Sequence, residues 1–225
     1  MPDSFKLSSV VFDMDGLLLD SERKSQEVAL KVASDLSIPF SEEEAKALVG
    51  KNEVAARRYI SELFQNQITV DNFFELSARM YQAEWENGRV PLKQGVIKIL
   101  DTLDAFNIPR AIATSTRRHV ATQKLSKVGI LSRFHQIVGG DEVLQGKPHP
   151  EIYLKACALL GTDPLHSLAC EDSPPGIEAA YRAGLRAILI PDLIAPTDTM
   201  RSHAWRVAAN LDEVSSLVRT MVSNG

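Results

Sequence analysis

Short apolar runs alternate with longer amphipathic stretches along most of this 225-residue chain. The short runs are apolar at successive positions, which is typical of strands that are buried on both faces of a sheet. We predict strands at 9–12, 110–113, 136–138, 167–169 and 187–190. The amphipathic stretches between them predict helices at 96–106, 119–128, 150–160 and 175–183. Together they predict an α/β fold with a doubly wound parallel sheet.

The interval from 21 to about 89 breaks this alternation. Its pattern is helical throughout and contains no convincing strand, although a crossover helix needs only about a dozen residues. We therefore predict an inserted all-helical cap at 21–90 and a parallel-sheet core formed by 1–20 and 91–225. Because the insertion begins shortly after the first strand, we expect it to act as a lid over a site at that strand end.

Composition and charge narrow the class of protein. The formal net charge is -4 with both signs scattered along the chain, so no basic face is available for nucleic acid. Cys157 and Cys170 lack C-x-x-C spacing and are too few for a disulfide framework, which predicts two reduced, apolar residues. No stretch approaches the roughly 20 apolar residues of a membrane span. We expect a cytoplasmic protein without membrane association, and nothing in the sequence implies a protein partner.

Two carboxylates follow the first predicted strand. Asp13 and Asp15 are separated by one residue, within a run that is otherwise apolar from 10 to 19 apart from Gly16. Buried carboxylates without partners are costly, so they require a cation, strong hydrogen-bond donors or a raised pKa. Gly16 suits a tight turn or a close approach of backbone to ligand. The pair therefore indicates metal binding or catalysis where the strand ends.

Polar residues also follow later predicted strands. They are Thr114 and Ser115 after 110–113, Lys147 in a proline-framed loop, and Glu171 and Asp172 after an apolar run. Strand ends meet at one edge of an open parallel sheet, so we expect these side chains to converge with the first pair. Each has an ordinary alternative. The hydroxyls can cap a helix, a lysine is most often a solvated surface group, and Asp172 or Ser173 can cap the next helix.

A set of carboxylates, hydroxyls and one lysine suits phosphoryl transfer through an aspartyl phosphate. A carboxylate that attacks a phosphate dianion needs a cation and a lysine to neutralise the phosphoryl oxygens. Mg2+ takes hard oxygen ligands, which Asp13, Asp172 and a backbone carbonyl near Asp15 can supply. Zinc is disfavoured because no His and Cys cluster has ligand spacing. The sequence thus predicts Mg2+ as the cofactor and a small phosphorylated metabolite as the substrate.

Four motifs in order resemble those of the haloacid dehalogenase-like hydrolase superfamily: Asp13-Met14-Asp15-Gly16, Thr114, Lys147 and Glu171-Asp172. The resemblance covers nearly the whole chain and implies a Rossmann-like core with a helical cap inserted after the first motif. It implies Asp13 as nucleophile and Asp15 as general acid and base. It further implies Thr114 and Lys147 as phosphate-binding residues, and Asp172 as a metal ligand with Glu171 as a second or water-mediated one. Members that displace halide lack the second Asp, so its presence argues for phosphoester hydrolysis.

Within the superfamily, the chain resembles the branch with a small helical cap, which includes β-phosphoglucomutase, sugar-phosphate phosphatases and pseudouridine 5'-phosphatase. Mutases of this branch have a cap Arg that binds a second phosphate and an early cap His, and the aligned positions here hold Glu53 and Ser25. A Glu would repel a second phosphate, so a phosphatase is favoured and a mutase is the alternative. Gly50, Lys51 and Asn52 are candidates for substrate contacts, unless they form only a polar turn.

Two hypotheses from other classes remain. A receiver module also uses clustered Asp residues, a hydroxyl and a Lys around Mg2+. It has its acidic pair and its phosphorylated Asp on different strands, however, and it lacks a large helical insertion. A non-catalytic binding protein on the same fold is not distinguished by motifs, and Mg2+-dependent hydrolysis of a generic aryl phosphate would exclude it.

Overall fold

The structure is a computed structural model that describes residues 5–49 and 53–223. These residues form two compact units. The smaller unit is Asp20–Pro91, and the larger combines the described parts of Met1–Leu19 and Leu92–Gly225. The predicted bounds of a core at 1–20 and 91–225 and a cap at 21–90 stay a prediction, as does the action of the cap as a lid.

The larger unit is built on one sheet of six parallel strands in the order β3-β2-β1-β4-β5-β6. The strands are β1 (Ser9–Phe12), β2 (Arg110–Ala113), β3 (Gln136–Val138), β4 (Ser167–Glu171), β5 (Arg186–Leu189) and β6 (Arg206–Val207). Within β1, Val11 pairs with Ala111 of β2 on one side and with Ala169 of β4 on the other. The strand order changes direction between β1 and β4, which is where open α/β sheets bind ligands.

Helices account for most of the remaining chain. In chain order they are α1 (Ser21–Asp35), α2 (Glu42–Lys46), α3 (Glu53–Phe64), α4 (Gln67–Glu86), α5 (Val96–Ala105), α6 (Arg118–Lys127), α7 (Glu151–Leu160), α8 (Pro174–Arg182), α9 (Asp198–His203) and α10 (Leu211–Ser223). The first four belong to the smaller unit and the others to the larger one. The predicted fold class, a doubly wound parallel sheet with an inserted helical segment, is confirmed.

The structure differs from the predicted elements mainly near the C-terminal end of the chain. Strands β1 to β3 have the predicted bounds, whereas β4 extends to Glu171 and β5 begins at Arg186. The prediction lacks β6, α9 and α10. Both residues of β6 are exposed, so it has no apolar run to detect. Helix α10 buries Leu211, Val214 and Val218, and this i, i+3, i+7 spacing is a helical signal that the prediction left unused.

Each unit has its own hydrophobic core. In the larger unit, both faces of the sheet are covered, and Cys157 and Cys170 are buried free thiols, as predicted. In the smaller unit, the ring of Phe73 packs edge-to-face against Phe40 at 5.6 Å and Phe64 at 5.5 Å between centroids. Such aromatic pairs add about 0.5–1.5 kcal/mol beyond the buried area. The smaller unit is therefore held together by contacts of its own.

Candidate active site

Asp13 lies at the carboxyl end of β1, in the middle of the sheet. Its backbone N–H donates to the carbonyl oxygen of Cys170 at 3.0 Å, and 8% of its surface is exposed. The chain then turns sharply, since Gly16 has φ 86 and its N–H donates to the carbonyl oxygen of Leu19 at 2.9 Å. Glycine adopts this left-handed conformation without strain. The turn fixes the backbone of Asp13 and Asp15 at the carboxyl end of β1.

Lys147 contacts the carboxylate of Asp13. Its Nζ donates to Oδ1 of Asp13 at 2.5 Å and to Oε1 of Glu171 at 2.5 Å, and its side chain is 4% exposed. Burial disfavours the charged lysine, but the two carboxylates outweigh burial and raise the pKa of Lys147. Lys147 is therefore a buried ammonium shared by two acidic residues, and the alternative of a solvated surface lysine is wrong.

Glu171 is fully buried at the end of β4 and both of its oxygens accept hydrogen bonds. The hydroxyl of Tyr153 donates to Oε1 at 2.5 Å, beside Lys147. On the other side, the hydroxyl of Ser173 donates to Oε2 at 3.1 Å. The Glu171 carboxylate thus holds the ammonium of Lys147 beside Asp13. Tyr153 was not predicted from the sequence, where it is one aromatic position among the apolar residues of α7.

Asp172, next to Glu171, has a buried carboxylate oxygen without a hydrogen-bond partner among the described residues. Ser173, rather than Asp172, caps α8 by accepting a hydrogen bond from the N–H of Gly176 at 3.2 Å. Oδ1 of Asp172 is buried and has no hydrogen-bond partner among the described residues. Burial, together with the charges of Asp13 and Glu171, raises the pKa of Asp172 well above its usual range. An unpartnered buried oxygen of this kind requires a cation or a proton.

Asp13, Glu171 and Asp172 each offer one carboxylate oxygen to a group in which all three oxygens lie within 4.8 Å of one another. Burial raises the pKa of Asp13, Lys147 opposes this effect, and Glu171 adds to it. Three carboxylates against one ammonium leave two uncompensated negative charges, and a divalent cation with a preference for oxygen ligands would balance them. The donor set therefore fits Mg2+. Because both oxygens of Glu171 already accept hydrogen bonds, Asp13 and Asp172 are better placed to be direct ligands.

Thr114 and Ser115 follow β2 at the same edge of the sheet. Thr114 is 1% exposed, and its Oγ1 accepts a hydrogen bond from the N–H of Thr116 at 3.1 Å. Ser115 is exposed, and its carbonyl oxygen lies where a side chain at Gly140 would clash, only 2.3 Å from a Cβ at that position. The β2 loop is therefore closely packed against the loop after β3, which gives Thr114 a fixed position.

Asp15 has two partners that were not predicted. The hydroxyl of Thr116 donates to Oδ2 at 2.7 Å, and Nζ of Lys124 donates to Oδ1 at 2.7 Å. Thr116 lies two residues after the predicted Thr114, so its place in the same loop was a usable signal. The sequence contains no comparable signal for Lys124, because it is one of several basic residues on a helix and lies 109 positions from Asp15 in the chain.

The structure thus brings Asp13, Lys147, Glu171 and Asp172 into one cluster, and it places Asp15, Thr114 and Ser115 in the turn and loop at the same edge of the sheet. The candidate substrate-contacting residues of the cap, Gly50, Lys51 and Asn52, lie outside the described residues. Among the described residues, no helix combines the length and the apolar composition needed to cross a bilayer.

Comparison with known proteins agrees with the motifs. The family model described as haloacid dehalogenase-like hydrolase matches residues 10–190. A phosphorylated carbohydrates phosphatase of Thermotoga maritima is 32% identical over 184 residues, which cover 81% of this chain and 84% of that protein. A candidate pseudouridine-5'-phosphatase of Drosophila melanogaster is 30% identical over 214 residues, which cover 92% of this chain and 90% of that protein.

A solved structure has the same fold as this chain. A candidate β-phosphoglucomutase from Thermotoga maritima superposes with a TM-score of 0.83 at 26% sequence identity, covering 95% of this chain and 99% of that one. With a family match over most of its length and relatives of 30% identity or more, the chain belongs to the haloacid dehalogenase-like hydrolase family.

Proposed function

We propose that this hydrolase is a Mg2+-dependent phosphatase that cleaves a small phosphorylated metabolite through an aspartyl phosphate on Asp13. The observation that carries the proposal is the position of the Asp13 carboxylate. It is buried at the end of the central strand β1. One of its oxygens lies 2.5 Å from the ammonium of Lys147, and an oxygen of Asp13 lies within 4.8 Å of a carboxylate oxygen of Asp172. This arrangement supplies a nucleophile together with the positive charge that a phosphate dianion requires.

The proposed reaction has two steps. A carboxylate oxygen of Asp13 attacks phosphorus, the ester P–O bond breaks, and Asp15 gives a proton to the departing alkoxide. Water then attacks the phosphorus of the aspartyl phosphate while Asp15 takes a proton from that water. The bond between phosphorus and the Asp13 oxygen breaks, so that inorganic phosphate is released and Asp13 is again a free carboxylate. Lys147 neutralises phosphoryl oxygens in both steps, and Thr114 would donate a hydrogen bond to one of them.

Asp13, Asp172 and the backbone carbonyl of Asp15 would hold Mg2+. When bound, Mg2+ would withdraw charge from the phosphoryl oxygens and so allow a carboxylate to approach them. The buried Oδ1 of Asp172, which has no hydrogen-bond partner in residues 5–49 and 53–223, supports the assignment of Asp172 as a ligand. Glu171 acts in this proposal through Lys147, whose ammonium it holds beside the nucleophile.

Two of the relatives support a sugar-containing phosphate as substrate. One is described as a phosphatase of phosphorylated carbohydrates and another as a candidate pseudouridine-5'-phosphatase, and both names describe the hydrolysis of a phosphate ester on a sugar. We therefore infer a sugar phosphate or a nucleotide-like monophosphate. The mutase alternative has the β-phosphoglucomutase-like structure in its favour. Against it, Glu53 stands where a mutase has the Arg that binds a second phosphate.

Asp13→Asn tests the proposed nucleophile. The amide keeps the shape of the side chain but does not form an acyl phosphate, so we expect kcat to fall by at least about 10³-fold. Phosphoenzyme trapped by acid quenching should also disappear. Asp198→Asn, an exposed residue in the first turn of α9, is the matched control and should retain full activity. Turnover of the wild-type order by Asp13→Asn would contradict the mechanism.

A panel of sugar, nucleotide and small-acid phosphates tests the substrate class. Release of inorganic phosphate from one class, without isomerisation of a hexose phosphate, would support the phosphatase and exclude the mutase. Absence of Mg2+-dependent hydrolysis for every member of the panel, including an aryl phosphate, would instead support the non-catalytic binding protein.

A further inference from the structure

Lys124 contacts Asp15 much as Lys147 contacts Asp13. The distance from Nζ of Lys124 to Oδ1 of Asp15 is 2.7 Å, and the two side chains are only 12% and 22% exposed. The hydroxyl of Thr116 donates to the other oxygen at 2.7 Å. Charge-assisted hydrogen bonds in such a partly buried setting are stronger than exposed surface ion pairs. Both oxygens of Asp15 are therefore held in defined directions.

The geometry of α6 explains how a distant lysine reaches this site. The helix begins beyond the carboxyl end of β2, and side chains on a helix are tilted toward its N-terminus. The long stem of Lys124, in the second half of α6, thus extends back toward the edge of the sheet where Asp15 lies. The neighbouring Ala121 and Leu125 are fully buried, so α6 is anchored to the core by residues other than Lys124.

We propose that Lys124 is a positioning residue that, together with Thr116, orients the carboxylate of Asp15 for proton exchange with the leaving-group oxygen. The inference rests on the proposed function, in which Asp15 is the general acid and base. A carboxylate has about four lone-pair sites on its two oxygens, so the two donors leave about two sites, and either can take the transferred proton while both donors stay in place. Without Lys124, Oδ1 loses its donor and the carboxyl group gains rotational freedom. Misplacement of a reacting group by about 1 Å can reduce a rate about 10²-fold.

The predicted consequence is selective for the leaving group. Phenolate is a poor leaving group that benefits from protonation, whereas p-nitrophenolate departs readily without it. We expect Lys124→Met to lower kcat/KM at least about tenfold for phenyl phosphate and by no more than about threefold for p-nitrophenyl phosphate. Lys124→Gln should behave similarly, and Lys124→Arg should recover part of the phenyl phosphate rate. Lys127→Met, an exposed lysine on the same helix, is the matched control and should change neither value.

The ratio of the two kcat/KM values is the deciding quantity, because it does not depend on how much of a variant is folded. A second measurement uses Asp15→Asn, which removes the group through which Lys124 is proposed to act. In that background, Lys124→Met should alter the residual kcat/KM for p-nitrophenyl phosphate by less than about twofold.

Three results would overturn the inference: an unchanged ratio in Lys124→Met, a ratio shifted equally by Lys127→Met, or a further large loss when Lys124→Met is added to Asp15→Asn. The outcome is separable from that for the proposed function. An active Asp13→Asn variant refutes the phosphatase mechanism itself. An inactive Asp13→Asn variant with an unchanged ratio in Lys124→Met refutes only the role of Lys124.

Discussion

Gly176→Ala is expected to destabilise this protein, although alanine is the better helix former. Gly176 lies in the first turn of α8, and a Cβ at this position would lie 2.0 Å from Cδ and Oε1 of Glu171. Real Cβ atoms essentially never approach other atoms within 3.0 Å, so the carboxylate of Glu171 would have to move by about an ångström. The effect of the substitution depends on whether that carboxylate can move.

Glu171 is fully buried, and its carboxylate accepts hydrogen bonds from Lys147, Tyr153 and Ser173 at 2.5, 2.5 and 3.1 Å. A hydrogen bond to a charged group contributes about 1.5–3 kcal/mol, so the loss of two of them costs roughly 3–6 kcal/mol. Alanine returns about 1 kcal/mol through its helix propensity. We therefore expect the free energy of unfolding to fall by about 2–5 kcal/mol.

Thermal melting measures this loss directly. In a chain of this size, each kcal/mol corresponds to roughly 2–4 °C, so Tm should fall by about 4–20 °C. Gly146→Ala is the control. A Cβ at this position has no atom of the described part of the chain within 4 Å, so the substitution should not lower Tm. Since Lys147 shares the displaced carboxylate, Gly176→Ala should also reduce kcat at least about tenfold. An unchanged or increased Tm for Gly176→Ala would refute the argument that Glu171 has no room to move.

Two other substitutions test the same cluster. Asp172→Asn should raise Tm in EDTA, because it removes one of three crowded carboxylates. It should also abolish stabilisation by Mg2+, which for the wild type amounts to about 2.7 kcal/mol when the Mg2+ concentration is 100 times its Kd. Scanning calorimetry with and without Mg2+ measures both effects, and full Mg2+ stabilisation of Asp172→Asn would exclude Asp172 as a ligand. Tyr153→Phe removes a donor to the buried Glu171 and should lower the free energy of urea unfolding by about 1–3 kcal/mol. Tyr181 is 54% exposed, so Tyr181→Phe should change the free energy of unfolding by less than about 0.5 kcal/mol. Equal losses for Tyr153→Phe and Tyr181→Phe would contradict a stabilising hydrogen bond from Tyr153 to Glu171.

The parts of the fold that were predictable are those in which local pattern and burial agree. β1, β2 and β3 appear as predicted because buried parallel strands are apolar at successive positions. β6 is an exposed outer strand that pairs with β5, and it has no such pattern. Its existence follows from the neighbouring strand, which is a tertiary contact that no local window contains.

The candidate site divides in the same way. Asp13, Lys147, Glu171 and Asp172 were detectable because each is a charged residue at the end of an apolar run or in a proline-framed loop, where its ordinary explanation is weak. Tyr153 and Lys124 were not, since a tyrosine on an apolar helix face and a lysine on an amphipathic helix are common. They join the candidate site only through their contacts, Tyr153 with Glu171 and Lys124 with Asp15.

The sequence by itself determined the alternation of strands and helices, the helical insertion, and the set of charged groups that follow the strands. These properties are local, because the side-chain periodicity of each element and the cost of burying a charge can be judged from neighbouring residues. Only the tertiary structure decided how these groups pair. It showed that Lys147 contacts both Asp13 and Glu171, that Lys124 contacts Asp15, and that one oxygen of Asp172 has no hydrogen-bond partner among the described residues. A hydrogen bond or ion pair weakens when the distance between its two atoms changes by a few tenths of an ångström. Asp13 and Lys147, like Asp15 and Lys124, are over a hundred positions apart in the chain, so the packing of the sheet and helices sets these distances.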